Sequence, residues 1–450
     1  MVDQGTYPAT RARLLRDLAA LPAGAPVRLG KTTSNLFRQR AGVSGRLDVT
    51  GLAGVLAVDP VSRTADVLGM TTYEDLVDAT LAHGLVPLVV PQLKTITLGG
   101  AVTGVGIESS SFRNGTPHES VLEIEVLTGD GRIVTARPDN EHRDLFFSFP
   151  NSYGTLGYAL RLVIELEPVR PYVALRHERF GSVDALTERL REVCGAREHD
   201  FVDGVWFGPQ ECYLTLGSYV DAPPGPVSDY TGMDIYYRSI QRRTADVLTT
   251  RDYLWRWDTD WFWCSRAFGV QRPAVRRLVP KRWLRSDSYW KVIAFEQKHR
   301  WKTRWDRRRG RPDREEVVQD VEVPVGRLVE FMDVFAREVP IEPVWLCPLQ
   351  QRDPAVVWDL YAFDPGELYV NVGFWSSVPL APGQDPSTHN RLVERLVADL
   401  GGRKSLYSTS FYTREEFAAT YGGAVYDVRK KTYDPDSRLL DLYAKCVERR

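Results

Sequence analysis

Apolar residues recur at helical spacing over residues 8–22, around Leu14, Leu15 and Leu18, and Pro22 stops the pattern, predicting an amphipathic first helix. Shorter apolar runs then take over. Strands are expected at 27–29, 55–59 and 64–69, the last two joined by a polar hairpin, and a helix at 73–83 closes on Gly84. A strand at 85–90 follows. Residues 121–135 read as a hairpin turning on Gly129-Asp130-Gly131, where glycine supplies the positive φ such turns need, and 160–166 alternates as a further strand. Past Pro168 and Pro171 the chain predicts a helix at 182–194, paired strands over 202–217 and a loop at 223–226. Further on come a helix at 328–337, strands at 344–348 and 368–374, and a helix at 390–400. This order makes the chain α+β, with a first domain over 1–170, a second over 171–404, and a C-terminal return over 405–450 that ends in a helix at 438–447.

A chain of 450 residues is long enough for two domains with a cofactor between them. Its net charge of −1 conceals an uneven distribution: residues 272–314 hold 16 Lys and Arg against four acids, a local excess of +12. Trp283, Trp290, Trp301 and Trp305 interleave with that charge, a mixture suited to the headgroup level of an anionic membrane. A solvated charged loop, a nucleic-acid patch and a docking face for an acidic partner are the competing readings. Five widely spaced cysteines without a CxxC pair argue against a disulfide framework or a zinc site, so no metal is expected and a reducing cytoplasm fits best. With no signal-like N-terminus and no apolar run of about 20 residues, the expected protein is soluble or peripheral on the inner face of the plasma membrane.

Candidate chemistry gathers at Thr97-Leu98-Gly99-Gly100-Ala101-Val102-Thr103-Gly104-Val105-Gly106-Ile107-Glu108-Ser109. These glycines do not follow a strand and open a helix as a Rossmann fingerprint would, so they read as a loop that lets backbone N–H groups approach a pyrophosphate. A flexible surface loop is the plainer reading. The succession of Gly30-Lys31-Thr32-Thr33-Ser34-Asn35, residues 97–109, and Asn151-Ser152-Tyr153-Gly154-Thr155-Leu156-Gly157-Tyr158 resembles the PCMH-type FAD-binding domain of the vanillyl-alcohol-oxidase superfamily. Within it, Gly104-Val105-Gly106-Ile107-Glu108-Ser109, Pro343-Val344-Trp345-Leu346-Cys347-Pro348 and Thr413-Arg414-Glu415-Glu416-Phe417 look like the sterol Δ24-reductase branch. The 255–263 and 431–440 stretches look closer still to the actinobacterial relatives that, with a methyltransferase, make 10-methyl fatty acids such as tuberculostearic acid.

That resemblance implies FAD held by the three segments, a cap domain over 171–404, and reduction of an isolated C=C bond in a lipid acyl chain with NADPH as a transient donor. Many superfamily members tether the flavin through His or Cys, and neither residues 30–35 nor 97–111 contain one, so the FAD is expected to dissociate. An unactivated alkene has no carbonyl to polarise, and a workable route protonates one carbon and delivers hydride to the other. Glu108 and Tyr412 are the candidate acids, Glu108 having the alternative role of holding a ribityl hydroxyl or a backbone amide. His118 is read as structural. Trp255, Trp263, Trp345 and Trp375 are candidate substrate walls, able to face a cation with their rings or simply to fill core. A sterol Δ24-reductase, an alcohol or sugar oxidase, and a flavin-bearing scaffold for a methyltransferase are the alternatives.

Overall fold

A computed structural model describes residues 5–22, 24–31, 45–299 and 308–448. Alternating residues in the first domain build a sheet of order Val55–Asp59, Thr64–Leu68, Tyr158–Pro168, Val121–Leu127, Ile133–Ala136, and Leu85–Pro87 pairs with the end of Tyr158–Pro168. Thr72 starts the helix Tyr73–Leu81 by accepting from Asp75 N at 3.2 Å, a cap worth about 1 kcal/mol. Gly84, at φ +68°, follows its end as expected. In the 121–135 hairpin only Gly131 takes the positive φ, at +86°. Gly129 is needed for a different reason: a Cβ there would lie 2.1 Å from Asp434 Oδ1, so its bare backbone admits the C-terminal segment.

Eight antiparallel strands form the second sheet, in the order Ala245–Thr249, Tyr172–Phe180, Glu211–Val220, Phe201–Gly208, Val344–Gln350, Leu368–Pro379, Arg314–Pro324, Arg403–Lys404. Period two sorts its faces. Along Leu368–Pro379, Val370, Val372 and Phe374 pack under the helices Val183–Ala196, Leu328–Glu338 and Thr388–Asp399, while Tyr369 and Trp375 join the apolar contacts on the opposite side. The core on that inner side is continuous with the core of the first domain, so the two units share a buried seam.

Four of these strands, Tyr172–Phe180, Ala245–Thr249, Arg314–Pro324 and the two-residue Arg403–Lys404, were not expected from the pattern. Arg314–Pro324 carries Glu315, Glu316, Asp320 and Glu322, and its acidic side chains mask the alternation of Val317, Val321 and Val323 that pack under the helices. The C-terminal return holds two unexpected helices, Arg414–Thr420 and Gly423–Tyr433, and the expected helix at 438–447 shrinks to Leu442–Cys446. Two hydrogen bonds join it to residues 129 and 155: Gly129 N donates to Tyr433 O at 2.8 Å and Lys430 Nζ to Thr155 O at 2.8 Å. The basic stretch is helical at Pro273–Arg276 and Ser286–His299, while Trp301, Trp305 and the rest of 300–307 lie outside the described residues.

Candidate active site

Residues 98–103 are a short helix rather than the expected loop. Thr97 caps it, its side-chain oxygen accepting from Gly100 N at 3.2 Å. Gly99 is held by the fold itself: its N donates to Gly69 O at 2.9 Å, and a Cβ on it would stand 2.6 Å from that oxygen. Gly69 in turn sits against Ala159, so three backbones meet where the helix leaves the sheet. Gly100 has a different environment. It is exposed, and only the Thr97 hydroxyl stands near where its Cβ would be. The segment 151–158 contributes left-handed backbone at Asn151, Tyr153 and Gly154, which aims the Tyr153 ring at Gly104, 3.5 Å from where a Cβ would sit.

These segments enclose a cavity of about 380 Å³, within the usual range for a small-molecule site. Lys31, Thr97, Gly99, Gly100, Thr103, Gly104, Gly106, Ile107, Gly154 and Gly157 line it. Gly30, Leu98, Glu108, Ser109 and Thr155 are not in the lining, and Thr32, Thr33, Ser34 and Asn35 lie outside the described residues. The inner face of the eight-stranded sheet supplies the facing wall with Trp345, Asn371 and Trp375, joined by Phe262, whose ring centre is 5.6 Å from Trp345 and 5.2 Å from Trp375.

Of the sequence candidates for the acid, neither reaches the cavity wall. Glu108 is buried behind it, where its Oε1 accepts from Arg256 at 2.8 Å while the same guanidinium reaches Asp203 at 3.0 Å. Burial raises the Glu108 carboxyl and the guanidinium opposes the shift. That geometry ties the two domains together, while Oε2 is buried with no hydrogen-bond partner among the described residues. Tyr412 packs among Phe417 and Tyr421, its hydroxyl 3.5 Å from that of Tyr421, and burial pushes its pKa upward. Trp345 and Trp375 line the cavity, whereas Trp255 lies near Lys94 and Trp263 packs behind the wall, its Nε1 donating to Trp375 O at 3.3 Å. His118 is structural: it packs edge-on against Trp358 at 4.5 Å, and burial depresses its pKa to about 3.

Asp320, Asn371, Ser405, Tyr407 and Lys445 line the cavity and were not singled out from the sequence. The acids alternating with valines over 320–323 were the available signal, but the same pattern describes an exposed edge strand.

A family model described as an FAD binding domain matches residues 11–137. The chain is an FAD-dependent oxidoreductase. It is 26% identical to the Delta(24)-sterol reductase of Rattus norvegicus over 419 residues, spanning 88% of this chain and 77% of that protein. Against the Delta(24)-sterol reductase of Arabidopsis thaliana it is 24% identical over 449 residues, with 90% and 77% covered. A shorter stretch of 151 residues, 34% of the chain and 27% of the relative, is 37% identical to Cytokinin dehydrogenase 6 of Oryza sativa subsp. japonica.

The cavity suits FAD in charge and polarity. Arg28, Lys31 and Lys445 lie in its lining and complement the two negative charges of a pyrophosphate. Gln92 Nε2, Thr95 Oγ1 and Asn371 Oδ1 are buried in the same lining with no partner among the described residues, so the protein leaves hydrogen-bonding capacity there for a polar ligand.

Proposed function

We propose that the protein reduces an isolated carbon–carbon double bond, that of a 10-methylene fatty acyl chain on a phospholipid, to the 10-methyl chain with electrons from NADPH. Supporting this is the continuity of one cavity from the glycine-built, cation-bearing side to the aromatic wall of Phe262, Trp345 and Trp375. On this reading Lys31 and the lining residues of 97–107 and 153–157 hold FAD, with Gly30, Leu98, Ser109 and Thr155 supporting them from behind. Bound FAD supplies the hydride. The aromatic wall excludes water and faces the carbon that becomes electron-poor, each ring contributing about 0.5–2 kcal/mol of attraction. No His or Cys is among the described lining residues, which favours a dissociable flavin.

Access for a lipid is supported by the basic stretch. Leu278 and Trp283 are 85% and 56% exposed among Arg277, Lys281 and Arg282, a surface suited to anionic headgroups. No described helix is long and apolar enough to cross a membrane, so this contact is peripheral in the proposal. A methyltransferase supplying the methylene chain is the partner it implies. The similarity to Delta(24)-sterol reductases favours a sterol side chain as the second reading.

Anaerobic mixing with NADPH should bleach the flavin, and a 10-methylene phospholipid should restore its colour. Recovery with a Δ24 sterol but not the methylene lipid would transfer the assignment to the sterol, and a flavin inert to both NADPH and alkene would leave the scaffold reading. Trp283→Ser should weaken co-sedimentation with anionic vesicles at low salt while leaving folding intact. Unchanged vesicle binding would remove the membrane contact from the proposal.

A further inference from the structure

An acid that protonates an alkene must stand in the wall of the substrate cavity, and Asp320 is the one carboxylate among the described lining residues. Its position is built by the strand pair that carries it. Asp320 is directly opposite Gly373, and a Cβ on Gly373 would fall 2.4 Å from Asp320 Oδ1, so glycine there reserves the space the carboxyl occupies. Neighbours fix both oxygens: Asn371 Nδ2 donates to Oδ1 at 3.0 Å, and the Tyr407 hydroxyl donates to Oδ2 at 2.7 Å. Trp375 Nε1 donates to the Tyr407 oxygen at 2.8 Å, giving a directional chain from indole to phenol to carboxyl along the aromatic wall.

The site also lies beside the flavin segments. Tyr153, whose ring faces Gly104, is within electrostatic reach of Tyr407. Unlike Glu108, Asp320 has no basic side chain among its hydrogen-bond and ion-pair partners in the described structure. Burial raises its pKa, and Glu322, two residues along the same strand face, is pushed up to about 8 by burial with only Tyr361 and Ser405 hydroxyls as side-chain donors.

We infer that Asp320 is the proton donor of the reduction, positioned by Tyr407, for the function proposed above on which this assignment rests. The Asp320 O–H bond breaks as a C–H bond forms at the methylene carbon. The electron-poor carbon receives hydride, with its two electrons, from the reduced cofactor, which is oxidised. The resulting Asp320 carboxylate faces the developing positive charge and stabilises it, and a proton from solvent restores the acid, so one alkene consumes one proton and one hydride.

The test uses full-length protein loaded with FAD, comparing wild type, Asp320→Asn, Tyr407→Phe and Glu108→Gln. Asp320→Asn should bind FAD within threefold of wild type and be bleached by NADPH at a similar rate, yet reoxidise with the alkene at least 100-fold more slowly. Tyr407→Phe should slow the same step by about 10-fold. The infrared band of a protonated carboxyl, read near neutral pH without cofactor, should lose intensity in Asp320→Asn, a change that loss of a merely structural side chain carrying no proton would not produce. Alkene reduction by Asp320→Asn within threefold of wild type, or an unchanged carboxyl band, would overturn the assignment. So would an equal slowing of the NADPH step. Wild-type flavin that no alkene reoxidises would instead overturn the proposed function, and this assignment with it.

Discussion

Two groups of acids project from the inner face of the same eight-stranded sheet, and their surroundings differ in one component. Asp203 meets Arg256, whose guanidinium is fully buried and also holds Glu108 across the domain seam. Asp320 and Glu322 meet hydroxyls, an amide and the Trp375 indole N–H. Burial raises the carboxyl pKa of both Glu108 and Asp320, but beside Glu108 a guanidinium opposes that rise, whereas only neutral donors oppose it at Asp320. Position on the sheet does not separate structural from reactive acids. The presence of a cation does.

Removing the cation should have the largest effect. Arg256→Met leaves Glu108 and Asp203 buried and uncompensated, with an expected loss of about 3–5 kcal/mol in denaturant unfolding. A loss under 1 kcal/mol would mean the network is solvated and the contrast with Asp320 is weak. Second comes the pH dependence of the other group. Glu322 is ionised above its ordinary range when unfolded but holds its proton to about 8 when folded, facing Asp320, Tyr361, Ser405, Tyr412 and Tyr421. The folded state therefore binds the extra proton. Its stabilising contribution is complete below the ordinary carboxyl pKa and is lost as pH rises through about 8. Glu322→Gln should flatten that fall, and equal slopes in the two proteins would show that Glu322 is charged when folded.

Gly99→Ala forces a methyl against Gly69 O and should cost about 1–3 kcal/mol with weaker FAD binding, as followed by thermal unfolding and flavin fluorescence. Wild-type stability in this variant would mean the backbones there separate easily. Smallest is Glu108→Gln, which keeps an acceptor for Arg256 and leaves Asp203 in place. About 1 kcal/mol of stability and less than a threefold change in alkene reduction are expected, and a hundredfold loss would return the acid role to Glu108.

Much of the first domain was legible in sequence because its signals are local. The hairpin at 55–68, the helix capped at Thr72 and the strand at 158–168 each follow from residues within a few positions of one another. The three glycine and Thr/Ser segments were recognisable in order for the same reason, since each shapes its own backbone. Gly99 and Gly129 show the limit: their absence of a side chain answers to Gly69 and Asp434, which only folding brings near.

The sequence by itself determined an α+β chain with an FAD-binding first domain, no His or Cys in residues 30–35 or 97–111, and a strongly basic stretch over 272–314. Only the tertiary structure decided which acids matter. Glu108 lies in the recognisable motif but is bound to Arg256, 148 positions away, while Asp320 lies in a strand that the pattern did not reveal and meets Tyr407 87 positions on. Whether a carboxyl keeps its proton depends on excluded water and on the sign of its neighbours' charge, and both are set by residues remote in the chain.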